Sequence, residues 1–358
     1  MTPAQSPQQP AIDSLVDWDL AVRTATRLGR PGPEVSRADA GQVVAELRAG
    51  AARSTAHVEE VTGLSTTAGG PVLVVDRTGW VIANVEAFRA LLTPVVEEAV
   101  RKRERSPGAL VGAVGGKVTG AEMGSVLAFL SSRVLGQYDV FGSDGGRLLL
   151  VAPNVVQVER ELGVDPSDFR LWVCLHEETH RVQFAACAWL REHMMSEVRA
   201  LVSDLVGEPG AVLDRVGAAL QQLPDVLRGQ SETGLLDLVQ TPEQRRALAE
   251  LTAVMSLLEG HADVVMDEVG PSVIGTVADI RRKFTRRRAG RGSVDQLMRR
   301  LLGLDAKMRQ YADGARFVRG VVDEVGMDGF NAVWTSPQTL PRPEEIADPK
   351  AWVRRVHG

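Results

Sequence analysis

Cysteine is almost missing from this chain: 358 residues hold two, Cys174 and Cys187, too few for the disulfide framework that staples small secreted domains. They lie thirteen residues apart on one predicted helix, roughly 20 Å along its axis, so no bridge between them is expected. That pattern suits a reducing, cytoplasmic setting. Aromatic residues are scarce, at 4% with only two tyrosines. An excess of positive charge is lacking too; the net charge of −5 argues against a nucleic-acid partner. The N-terminal MTPAQSPQQPAID has neither the basic region nor the apolar core of a signal peptide. No apolar run reads as long enough to cross a bilayer, so no membrane partner is expected. Internal repeats are absent, which excludes a solenoid.

What is present is material for a sizeable core, with 44% hydrophobic and 24% charged residues. Residues 1–13, rich in Pro, Gln and Ser, read as a disordered tail. Residues 14–358 read as a single domain, with two lobes holding a site between them as the variant such a length allows. Helical periodicity runs over residues 14–28, 36–61, 85–103, 119–135, 193–206, 209–223 and 294–325, with a connector at 231–238 and a surface-wrapping end from 337. Residues 71–75 and 147–153 read as short strands, the second as an edge along which an extended peptide could add. Asp76 to Gly79 reads as a turn using a positive φ at Gly79, and Tyr138-Asp139 as another turn. The fold class expected is therefore mainly α with a small minor sheet. Arg281 to Arg291 is a dense basic run, read as an exposed loop between helices because it carries one aromatic, Phe284, and no stacking pattern. Nothing in the sequence selects an oligomeric state.

The stretch LWVCLHEETHRVQF contains His176-Glu177-Glu178-Thr179-His180. Four residues are about one helical turn, so both imidazoles can face a single metal ion. Glu177 is offset so that its carboxylate serves as a base beside the metal rather than as a ligand. Asp165-Pro166 supplies an N-cap and a first-turn proline ahead of the motif. A catalytic zinc site needs a third protein ligand and an open position. Glu259, in LLEGHADVVM, is the favoured candidate, on a helix opened by Thr241-Pro242. Glu259 shares a face with Met255, Ala262, Asp263 and Met266, and a carboxylate on an apolar face is costly unless paired. Asp263 then accepts the second N–H of a ligand imidazole and fixes its tautomer. His261 is the rival ligand, on apolar surroundings of its own, or an outer supporting residue. Tyr311 is the first candidate for the donor that stabilises an oxyanion, with His261 the second.

The HExxH helix followed about eighty residues later by E-x-x-x-D resembles the gluzincin type of zinc metallopeptidase. Val75-Asp76-Arg77 with Trp80, Gly136-Gln137-Tyr138-Asp139, HEETHRVQF, EGHAD, Gly303 to Lys307 with Gln310-Tyr311, and Trp334 with Leu340-Pro341 extend the likeness over nearly everything after residue 14. Together they resemble a zincin-like metallopeptidase family common in actinobacteria, some of whose members are associated with biosynthesis of a deazaflavin coenzyme. The resemblance implies a zincin-like architecture, with the HExxH helix packed on the helix of the third ligand, and a Zn²⁺-dependent hydrolase acting on a peptide or a small amide. Glu178 departs from the peptidase pattern by placing a charge where an uncharged residue is usual, and an extra acid there is expected to alter the pKa of Glu177. That departure supports a rival expectation, a non-catalytic zincin-like scaffold or partner-binding protein. A third is hydrolysis of a non-peptide amide in coenzyme metabolism.

Overall fold

A computed structural model describes residues 12–66, 69–104, 115–142, 145–207, 241–289 and 304–358. It is mainly helical with one three-stranded sheet. The expected helix at 209–223 and connector at 231–238 lie outside the described residues, as do residues 1–11 of the expected tail. Ile12 and Asp13 already belong to a helical turn, α1 (Ile12–Leu15). Then come α2 (Trp18–Leu28), α3 (Arg37–Thr62), β1 (Val72–Val75), α4 (Arg77–Glu104), α5 (Gly115–Ser131), β2 (Gly136–Asp139), β3 (Arg147–Val151) and α6 (Ala152–Leu162). They are followed by α7 (Pro166–Ala186), α8 (Ala188–Gly207), α9 (Pro242–Val273), α10 (Val277–Ala289), α11 (Leu304–Phe330) and α12 (Pro349–His357). The chain forms two units, Met1–Val44 with Gly70–Gln157, and Ala45–Gly69 with Val158–Gly358.

In the first unit the sheet order is β1-β3-β2, with β1 parallel and β2 antiparallel to β3. The strand expected as an edge is thus the central one. Leu148, Leu149, Leu150 and Val151 are fully buried, and both sides of β3 are already paired, which leaves no edge there for strand addition. The expected turn at Asp76 is the N-terminus of α4: Asp76 Oδ1 accepts from the Gly79 amide at 2.7 Å, the signature of an N-cap. Gly79 needs no positive φ. Tyr138 and Asp139 sit in β2 rather than in a turn, and Asp139 accepts from Arg147 Nε at 2.9 Å. By length and composition the span Arg77–Glu98 could cross a bilayer, contrary to the sequence reading, yet half of it is buried. Trp80, Val81, Ala83, Val85 and Val96 pack into the core of this unit, so α4 behaves as a core helix.

The second unit is built on α9 and α11, around Leu257, Leu258, Phe317, Val318, Phe330 and Trp352. They cross at Gly260 and Gly314, where a Cβ on either would overlap the backbone of the other helix. Backbone contact of this kind demands glycine on both sides. The basic run is not a loop: residues 281–289 continue α10. Its charges are engaged locally, since Arg281 pairs with Asp267, Arg282 and Lys283 with Asp279, and Arg287 with Glu161. Both cysteines are buried free thiols, and burial pushes each up to about 12.

Gly314→Val is expected to cost about 1–3 kcal/mol or more by overpacking, read as a lower midpoint in urea unfolding. Gly41→Ala is the contrast: it lies exposed in α3 with nothing within 4 Å of an added Cβ. There the gain in helix propensity is expected to stabilise by up to about 1 kcal/mol.

Candidate metal centre

Helix α7 begins where the sequence places it: Asp165 accepts from the Asp168 amide at 2.9 Å, and Pro166 occupies the first turn. Asp168 itself accepts from the amide and hydroxyl of Thr276, at 3.0 and 2.6 Å, which ties this end to the start of α10. The next turns bury Phe169, Leu171, Trp172, Val173, Cys174 and Leu175. These residues surround the helix, so this part of it runs through the core, with His176 and His180 in its following turns. Helix α9 starts at a capping box between Thr241 and Gln244 with Pro242 beside it. It carries Glu259 near its middle, against α7.

His176 Nε2 lies 3.5 Å from Glu259 Oε2, and His180 Nε2 lies 3.7 Å from Oε1. The two imidazole rings are perpendicular, with centroids 4.9 Å apart. One ligand atom from each of the three residues falls within 4.8 Å of the others. Four ligands at roughly 2.1 Å around a tetrahedral ion stand roughly 3.4 Å from one another, whereas good hydrogen bonds are about 2.7–3.2 Å. The two imidazole–carboxylate separations, each to a different oxygen of Glu259, are longer than good hydrogen bonds and close to such an edge. The donor set of two imidazoles and a carboxylate suits zinc. These residues fit a metal ion, and all three belong to the second unit. The face of Glu259 is more open than its apolar neighbours imply. Met255, one turn earlier, is 38% exposed, which leaves an approach to the carboxylate.

The charges respond to this crowding. Burial lowers the pKa of His176, but the Glu259 carboxylate outweighs it, helped by Glu177 and Asp263, and the result is a rise to about 9. Burial raises Glu177 to about 7, with Glu259 adding to the rise and His176 opposing it. Glu178 is absent from those causes. Contrary to expectation its carboxylate is engaged elsewhere: it accepts from Thr55 Oγ1 at 2.7 Å and pairs with Arg181. Burial also lowers His180, against the pull of Glu259.

Several sequence expectations move. His261 does not reach the cluster. It is fully buried and stacked on Phe330 and edge-on to Trp334, at 5.2 and 5.4 Å between centroids, and burial lowers it to about 3. The residues whose ligand atoms gather are His176, His180 and Glu259, and His261 is not among them. Asp263 is near enough to raise His176 and His180 by its charge. The partner of His180 Nδ1, however, is Gln183 Oε1, which accepts its hydrogen bond at 3.0 Å. Sequence reasoning passes over Gln183, whose partners Leu258 and His261 lie on α9. It also passes over Trp172, which stacks behind His176 at 6.5 Å and meets Phe284 of α10 edge-on at 5.0 Å. Tyr311 lies on α11, with its side chain outside the described residues.

A family model described as zincin-like metallopeptidase matches residues 16–353. Among solved structures, the chain is similar to a protein of Chloroflexus aurantiacus described as a "putative hydrolase with a novel fold". The two are 31% identical, over 95% of this chain and 98% of that one, at a TM-score of 0.66. No curated protein matches.

The pKa of His176 implies a pH signature in the metal-free protein. A group whose pKa rises on folding, here from 6.5 to about 9, stabilises the fold fully below the lower value, and that stabilisation is lost as pH rises through the higher one. His180 and His261 shift downward, so they act only below 6.5. The melting temperature of metal-free protein is therefore expected to fall between pH 6.5 and 9, and His176→Gln is expected to flatten that slope in the same thermal scan.

Proposed function

The chain belongs to the zincin-like metallopeptidase family, and from that premise we propose that it is a zinc-dependent hydrolase of peptide or small amide bonds, with His176, His180 and Glu259 as the zinc ligands and Glu177 as the general base. The observation that carries this reading is the convergence of both imidazole Nε2 atoms on the two oxygens of Glu259, at 3.5 and 3.7 Å. Zinc, when bound, supplies Lewis acidity, lowering the pKa of a coordinated water towards about 7 and polarising the carbonyl under attack.

The rest is the work of the chain. Glu177, 8% exposed and one residue from His176, accepts a proton from the attacking water and returns it to the leaving amine. Burial that holds its carboxyl near 7 matches it to shuttling a proton at neutral pH. Trp172 backs the His176 ring and restricts its rotation. Glu259 is 27% exposed on its side chain, so the centre is reachable by a substrate. The two buried free thiols suit a cytoplasmic location.

The scaffold reading drew its support from Glu178, and that side chain is occupied with Thr55 and Arg181. A non-peptide amide would use the same residues, so the choice between the two substrate classes belongs to a screen. The electrostatic argument against nucleic acid is strengthened by the pairing of Arg281, Arg282, Lys283 and Arg287 with acids.

Elemental analysis of purified protein is expected to find about one zinc per chain in wild type. Glu259→Ala should lose most of it, while Glu177→Gln retains it and lowers turnover of a peptide library by about 10²–10⁴-fold. Loss of zinc in Glu177→Gln would sink the assignment of the base. Full zinc without turnover on peptides or amides would favour the scaffold.

A further inference from the structure

Gln183 is fully buried, and its amide touches three groups. Oε1 lies 3.0 Å from His180 Nδ1. Nε2 lies 3.0 Å from the Leu258 carbonyl oxygen and 2.9 Å from His261 Nδ1. Because a backbone carbonyl only accepts, the atom facing Leu258 must be the NH₂ end. That one contact fixes the orientation of the whole amide. The oxygen then faces His180, so His180 Nδ1 must carry a hydrogen. A neutral imidazole has only one N–H, so the lone pair of His180 is on Nε2, the atom that faces Glu259. The second amide hydrogen goes to His261 Nδ1, which must be bare, leaving the N–H of His261 on Nε2.

We propose that Gln183 is the positioning residue of this centre, fixing His180 as the Nδ1–H tautomer and clamping the turn of α9 that carries Glu259 against the turn of α7 that carries His180. Leu258 precedes Glu259 by one residue and His261 follows it by two, so a single amide grips α9 on both sides of the third ligand. His261, wedged between Phe330 and Trp334, gives the second hydrogen of the amide a fixed acceptor. A ligand imidazole is usually held by a carboxylate or a backbone carbonyl; here a neutral amide does it, and adds no further charge beside Glu177 and Glu259. The proposal rests on His180 being a zinc ligand.

The test begins with metal-free wild type in which the six histidines are ¹⁵N-labelled, read by long-range ¹H–¹⁵N correlation near pH 8. His180→Asn and His261→Phe provide the assignments. His180 is expected protonated at Nδ1 and bare at Nε2, and His261 the reverse. Gln183→Met keeps the length and removes the amide; His180 should become a mixture of tautomers, and zinc affinity by chelator competition should fall about 10–100-fold. A Gln183 that merely fills the core would lower the melting temperature and leave tautomer and affinity alone, which overturns the proposal. So does a wild-type His180 protonated at Nε2, a result that needs no variant to fold. Absence of zinc binding in wild type would count against the metallohydrolase reading instead, and the tautomers would still be read independently of it.

Discussion

Everything at the centre depends on one carboxylate brought up against two imidazoles among apolar helices. Glu259 lies 3.5 and 3.7 Å from the two rings, and neutral imidazoles balance a negative charge poorly, so the protein holds a proton on His176 well above its ordinary pKa. A divalent cation would satisfy the same three residues with greater charge and more directional bonds. The centre is therefore poised between proton and metal, and metal affinity must depend on pH because binding displaces that proton. Neither charged state of the cluster is comfortable alone. Two separately capped helices and a shared amide keep the groups together despite this.

The parts legible in the sequence are those whose cause is local. The spacing of His176 and His180 follows from the helical repeat, and Asp165-Pro166 and Thr241-Pro242 mark where α7 and α9 begin because capping chemistry is short-range. Glu259 is legible through the energetic cost of a carboxylate beside apolar neighbours. What escapes depends on partners far away in the chain. β3 reads the same as an edge or a central strand until its neighbours β1 and β2 are known. Asp76-Arg77-Thr78-Gly79 carries one signature for a turn and for an N-cap, and only the helix continuing beyond Gly79 decides between them. The basic run looks like a solvated loop because its acids, Asp267 and Glu161, lie outside it. Gln183 gains its meaning from Leu258 and His261, more than seventy residues later.

The adjacent acids of the motif show how a helix separates duties by rotation alone. Glu177 is near enough for its charge to act on His176; Glu178, about 100° further round, is locked to Thr55 of α3 and to Arg181. The extra charge that set this motif apart thus serves the fold, holding α7 to α3. His261 shows the converse, a residue beside Glu259 in sequence whose ring is turned into the core.

Gly260 follows Glu259 directly and lies against the backbone of α11 at Gly314. Side chains meeting across an interface can change rotamer and absorb a small shift, but two main chains in contact have no such slack. Glu259 is in this sense mounted on a stiff joint. A displacement of α11 would be passed on to the Glu259 carboxylate almost undiminished, so the geometry of the centre is set as much by the seating of a neighbouring helix as by the three residues that form it.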